Sequence, residues 1–177
     1  MKVSWRYRTC KVENLNLKAI EPKNILDKIK KRNEEIKDKK IKVITNAGGI
    51  NLEACRDALK SEAEKLDINL KIALVHGDNI LDRKQELQNM RIQDIDNNEP
   101  LPDEIVSMNG YLGAKPIQEA LSNEADIVIT GRCVDTALVL GPLMHEFNWS
   151  INDYDLLAAG SLAVSYTHLT LPTICSV

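Results

Sequence analysis

Three short polar stretches carry most of the chemistry that this chain can offer. Each closes a β-branched, apolar run: Thr45-Asn46-Ala47-Gly48-Gly49 ends IKVIT, His76-Gly77-Asp78 follows LKIALV, and Thr130-Gly131-Arg132-Cys133-Val134-Asp135 ends DIVIT. Histidine exchanges protons near neutral pH, and His76 is the one histidine at such a position. It is therefore the best candidate for general acid–base work. Asp78 and Asp135 supply carboxylates that can hold a hydroxyl, orient His76, or bind a metal together with water. Arg132 can clamp a phosphate or carboxylate through two parallel hydrogen bonds. Asn46, Gly48, Gly49 and Gly131 can shape a cradle where a ligand approaches the backbone, and each following helix offers free N–H groups to an anion.

Each feature also has a plainer reading. Gly48 and Gly49 can simply make a tight turn. His76 can bond a neighbouring loop. Arg132 can pair with Asp135 three residues on. Asp78 can cap the helix that follows it. Asn109 and Tyr111 can be turn residues, and His145 can be structural. The glycines fit neither a Walker loop nor GxGxxG, so no nucleotide motif applies and the cofactor stays unknown.

The elements that must position these residues alternate. Residues 21–40 read as a charged helix with Pro22 in its first turn and Ile25, Ile29 and Ile36 near one face. A strand over 41–45 leads to a helix that Asn51 can cap, with an apolar stripe of Leu52, Cys55, Leu59, Ala63 and Leu66. A second strand is expected over 70–75 and a polar helix over 80–90. Residues 93–102 read as a surface loop, and 104–108 as a weaker strand. A turn over 109–113 precedes a short helix over 117–123, opened by Pro116. The third clear strand spans 126–130. The next helix carries Val134, Ala137, Leu138 and Met144, with Pro142 bending or breaking it. Asn152 or Asp153 caps a last helix through Ala159. Continuous apolar strands alternating with helices imply an α/β fold, an open and mostly parallel sheet with helices on both faces. In such sheets ligands bind beyond the carboxyl ends of the strands, which would gather the three polar stretches on one edge.

Composition narrows the function classes. The chain has 177 residues, 44% hydrophobic and 28% charged, with a net charge of −3 and a pI near 5.7. That balance gives no electrostatic reason to expect nucleic acid as a partner. Its Lys and Arg residues cluster before position 43, among many carboxylates, as on a solvated helix face. No apolar run approaches the roughly 20 residues of a membrane helix, and the N-terminus carries no secretory signal. Cys10, Cys55, Cys133 and Cys175 lie far apart, with no Cys/His pairing at metal spacing. The expectation is a soluble cytoplasmic protein with reduced thiols and a small-molecule ligand, without nucleic acid or membrane and with no metal-ligand set assigned.

Several long blocks in order resemble the N-terminal domain of the acyclic terpene utilisation (AtuA) family. They are ITNAGGINLEACRDAL at 44–59, ALVHGD at 73–78, MNGYLGAKPIQEAL at 108–121, ADIVITGRCVDTALVLGPLMHEFNW at 125–149 and DLLAAGSLA at 155–163. The resemblance is nearly continuous over 41–163. It implies a context of acyclic terpenoid breakdown through branched acyl-CoA intermediates, with an acyl-CoA as a ligand class and a homo-oligomer of the full-length protein as an open option. It does not imply a reaction. Asn46, Gly48, Gly49, Asn51, His76, Gly77, Asp78, Asn109, Gly131, Arg132 and Asp135 match the family's recurrent polar text, which adds Asn51 and Asn109 to the binding candidates. An enzyme, a non-catalytic binding subunit of an acyl-CoA pathway and a non-functional fragment are the rival expectations.

The two ends depart from the family. Members begin with a Gly-rich strand–turn and a further strand, which residues 1–20 do not match. At the other end the DNA string GTC TCT TAT ACA CAT CTG ACG CTG CCG ACG, read-through of a common transposase sequencing adaptor, translates to Val164 through Thr173 without a mismatch. The flanking adaptor and index bases can encode Ala163, Ile174, Cys175, Ser176, Val177 and a stop. The expectation is three segments: 1–40, a partial α/β domain over 41–163, and an adaptor-derived tail over 164–177 in which His168 and Cys175 carry no meaning. Read as protein, the tail's alternating Ser165, Thr167 and Leu169 give an edge strand stopped by Pro172.

Overall fold

The computed structural model describes residues 2–3, 41–48, 51–65 and 67–174. The helix expected over 21–40, together with Gly49, Leu66, Cys10 and Cys175, lies outside them. In chain order the elements are β1 (Lys2–Val3), β2 (Val43–Thr45), α1 (Leu52–Lys65), β3 (Ile72–Val75), a 3-10 turn (Leu81–Arg83), α2 (Lys84–Asn89), β4 (Gln93–Asp94), α3 (Lys115–Ser122), β5 (Ile127–Thr130), α4 (Ala137–Glu146) and α5 (Tyr154–Ile174).

The central sheet is open, three-stranded and wholly parallel, in the order β2-β5-β3. Ile127 lies level with Val43 on one side and Ile72 on the other. All four residues of β5 are buried, while most of β2 and β3 is half-exposed. This is why DIVIT reads as unbroken apolar text: a central strand needs apolar side chains on both faces. Ile127 and Ile129 pack with Leu52, Cys55 and Leu59 of α1 on one face. Val128 packs with Ile117 and Leu121 of α3 and with Ala137 and Met144 of α4 on the other. A separate apolar cluster, Leu87, Ile92, Leu101 and Met108, supports the excursion between β3 and α3.

The order explains why helices cover both faces. The chain steps outward from β2 past one strand position to β3, then back to β5 between them. Crossovers between parallel strands are right-handed, so opposite steps place α1 and α3 on opposite faces. β5 then leads to α4, on the face of α3.

Several expectations change. Residues 104–108 form no strand; Met108 O instead accepts the Ile80 N–H at 2.8 Å, and Ile105 packs on the third cluster. Among the described residues no open strand lies beside these five, so extending them gains nothing. The 93–102 loop contains β4, parallel to β1, with Asp94 buried. Pro142 sits inside α4 without ending it. A side-chain-closed turn leads into the last helix: Asp153 Oδ2 accepts the Ser150 N–H at 2.7 Å, and Ser150 Oγ accepts the Asn152 N–H at 3.2 Å. It passes Ala159 and stays helical to Ile174, where alternation suggested an edge strand. A helix already nucleated propagates at little cost, and three alternating residues do not outweigh that.

Candidate functional site

The loop after β2 is closed by its own side chains. Thr45 Oγ1 accepts the Ala47 N–H at 3.1 Å, and Gly48 O accepts the Asn51 N–H at 3.0 Å. Asn51 Oδ1 accepts the Ala54 N–H at 2.9 Å and so caps α1, as its position suggested. Gly48 is buried against the end of β5. A Cβ there would lie 2.4 Å from Leu52 Cδ2, 2.9 Å from Ile129 Cγ2 and 3.0 Å from Thr130 O. Asn46 stays exposed beside it.

The loop after β3 turns at Gly77, whose φ of 107° suits glycine. Asp78 is then buried, and its Oδ2 accepts two hydrogen bonds: from Asn109 Nδ2 at 2.9 Å and from the Arg132 N–H at 2.8 Å. Its carbonyl accepts the Gly110 N–H at 2.7 Å. One carboxylate thus ties the end of β3 to the 109–113 turn and to the loop after β5. Gly131 leaves room for it, since a Cβ at that position would lie 2.0 Å from Asp78 Oδ1. Ahead of the helical turn that follows, Asn79 Oδ1 accepts the Leu81 N–H at 3.1 Å; Asp78 has the clasping role instead.

The 109–113 turn is more than a turn. Leu112 N–H donates to Arg132 O and Val134 N–H to Leu112 O, both at 3.0 Å. These bonds lay Leu112 beside Cys133 as a short parallel bridge. Tyr111 is thereby brought under Arg132, whose guanidinium carbon lies 5.7 Å from the ring centre. Nothing in the spacing of Tyr111 and Arg132, twenty-one residues apart, announces this contact. Among the described residues no ion pair joins Arg132 to Asp135 or to any other carboxylate. Asp135 is exposed just before α4.

His76 is exposed, and its nearest charged partner is Glu53 on α1, Oε1 to Nε2 3.7 Å, rather than Asp78. His76 also ends a groove of about 570 Å³ that runs along Lys71 and Ile72–Val75 of β3 and past Pro116, Glu119 and Ala120 of α3. His145 Nδ1 lies 3.2 Å from Ser122 Oγ on α3. Among the described residues no group of three His, Cys, Asp or Glu side chains is placed to hold a metal, and no helix is long and apolar enough to cross a membrane. Cys55 and Cys133 are free and buried, and burial pushes the Cys55 thiol up.

The two ends of the sheet differ electrostatically. At the amino ends of the strands, Lys42 pairs with Asp126 at 3.1 Å and Lys71 with Glu124 at 2.6 Å. The hydrogen bond from Lys71 holds the Glu124 carboxyl below its usual range. At the carboxyl ends Arg132 is exposed, with a tyrosine ring as its neighbour.

The same end contains the point where the connections diverge. β2 leaves for α1 on one face, and its neighbour β5 leaves for α4 on the other. Open α/β sheets bind ligands in the crevice at such a point. Asn46 and Gly48 lie on one side of it, and Gly131, Arg132 and Asp135 on the other. Asp78 and Asn109 brace the β5 side, Asn51 caps α1 behind Gly48, and His76 stands beyond β5 at the end of β3.

A family model described as acyclic terpene utilisation family protein AtuA matches residues 18–169. The match begins upstream of Ile41, where the recognisable blocks start, and runs past Ala163. No curated protein and no solved structure matches the chain.

Proposed function

The chain belongs to the acyclic terpene utilisation family AtuA, and from that premise we propose that it is a catabolic enzyme, or an enzyme domain, acting on a small acidic or branched acyl-CoA-type metabolite in acyclic terpenoid breakdown. One observation carries this reading: at the carboxyl end of the sheet, where the connections of β2 and β5 leave for opposite faces, stands an exposed arginine without an ion-pair partner among the described residues. Asn46 stands exposed on the β2 side, and Arg132 holds the anionic group. His76 exchanges the proton, with Asp135 as the exposed carboxylate near the crevice. Asp78, whose Oδ2 already accepts two structural N–H groups, aligns the loops that carry Arg132 and Asn109.

That commitment of Asp78 also favours a second reading, ligand binding without turnover in an accessory subunit. The test is thermal stabilisation across a panel of branched acyl-CoAs and their free acids, with product analysis on the same samples. A ligand at 100 times its Kd adds about 2.7 kcal/mol, which a melting curve resolves readily. Stabilisation with product formed supports the enzyme, and stabilisation without product supports the accessory subunit. A flat panel overturns both.

A further inference from the structure

We propose that Tyr111 is a ligand-positioning residue that holds the Arg132 guanidinium as a preset grip for an oxyanion, a carboxylate or a phosphate. The inference rests on the reading of the carboxyl edge as a binding site, and it deepens that reading by naming the group that is recognised and the residue that aims the grip.

An unrestrained arginine has four side-chain torsions to fix before it can bind, and this entropy subtracts from affinity. Here the two residues belong to one hydrogen-bonded unit. Leu112, next to Tyr111, exchanges bonds with Arg132 and Val134. Asp78 holds the Arg132 N–H and the Asn109 side chain with the same oxygen. The backbone positions of Tyr111 and Arg132 are therefore set relative to each other. The guanidinium lies 5.7 Å from the ring centre, where the negative face of the ring attracts it. A stacked guanidinium keeps its in-plane N–H donors free, and these are what a carboxylate or phosphate needs. The Tyr111 ring remains 66% exposed, so an apolar part of the ligand can pack beside the grip. No carboxylate among the described residues competes for Arg132.

The test is isothermal titration of the whole chain at low ionic strength with two probes. Coenzyme A carries phosphates and no carboxylate; 3-methylbutanoate carries a carboxylate and no phosphate. The expected result is saturable binding of at least one probe, and which one binds identifies the source of the oxyanion. Arg132→Gln should weaken that binding by at least about ten-fold, the loss of a charge-assisted pair. Tyr111→Ala and Tyr111→Leu should each weaken it about two- to five-fold, and Tyr111→Phe, which keeps the ring, should restore it. Both side chains are exposed, so the variants should melt with the parent. If Tyr111→Leu binds as well as the parent while Arg132→Gln does not, the tyrosine has no positioning role, although the anion site stands. If acyl-CoAs stabilise the protein and Arg132→Gln makes no difference, the grip is overturned while the wider binding reading survives. Binding of neither probe, with a flat acyl-CoA panel, removes both.

Discussion

Gly131 is needed because of a residue fifty-three positions away. Its α-carbon faces the Asp78 carboxylate so closely that a methyl group would lie 2.0 Å from one oxygen and 2.4 Å from the carboxyl carbon. The carboxylate cannot swing clear without abandoning the Asn109 and Arg132 donors, so Gly131→Ala should cost about 1–3 kcal/mol, as for buried donors left unpaired. Asp78→Ala should cost a similar amount by removing the acceptor directly. The two losses should not add, because an alanine at position 78 leaves space for the new methyl. A urea double-mutant cycle should return a coupling of about 1 kcal/mol or more. Additive losses would mean that the two residues do not share one clasp. From the sequence, Gly131 and Asp78 stand out as polar text at strand ends, but glycine text does not say whether it makes room for a ligand or for another side chain. The same ambiguity applies at Gly48, whose crowding is by Leu52 and Ile129.

At the scale of elements, apolar periodicity located α1, β3 and β5 to within two residues, because their burial is set by their own side chains. Where an element's limits depend on a partner distant in sequence, the pattern was less informative. Residues 93–94 extend between β1 and the Glu99–Pro100 segment, and residues 104–108 have no described strand beside them. The contact between α3 and α4 shows how specific such pairings are. Gly141 faces Ile117, and a methyl there would meet Ile117 Cγ2 at 2.6 Å and Cβ at 2.7 Å, with Ala114 O at 3.1 Å. Ile117 is completely buried against the sheet and branched at the crowded carbon, so it has nowhere to move. In a helix interior alanine gains about 1 kcal/mol over glycine, whereas overpacking costs about 1–3 kcal/mol. The overpacking should win at a site this rigid, and Gly141→Ala should lower the urea midpoint with an unchanged m-value. A raised midpoint would show that α4 slides on α3 easily enough to take the methyl.

Over the whole molecule, the open parallel sheet and the gathering of three polar stretches at one end were legible from strand endings alone, since parallel strands must share a carboxyl edge. The strand order was not, because it depends on where β5 inserts, and no local pattern records that. The order in turn decides that the connections diverge between β2 and β5 and that His76 stands one strand away from that point. The junction of α5 with residues 164–177 poses a different question. The helix runs through Ala163 and Val164 without a break. Yet helical continuity depends only on residues that tolerate a helix, and apolar adaptor-encoded text can do so as well as native text. The residues themselves are more discriminating, since ten in a row, Val164 to Thr173, match the translation of one adaptor strand in a single frame. Sequencing the source DNA across the codon for Ala163, from a library built without transposase adaptors, should find different codons after it. Recovery of the same codons and stop would overturn the adaptor reading. The last turns of α5 would then be native.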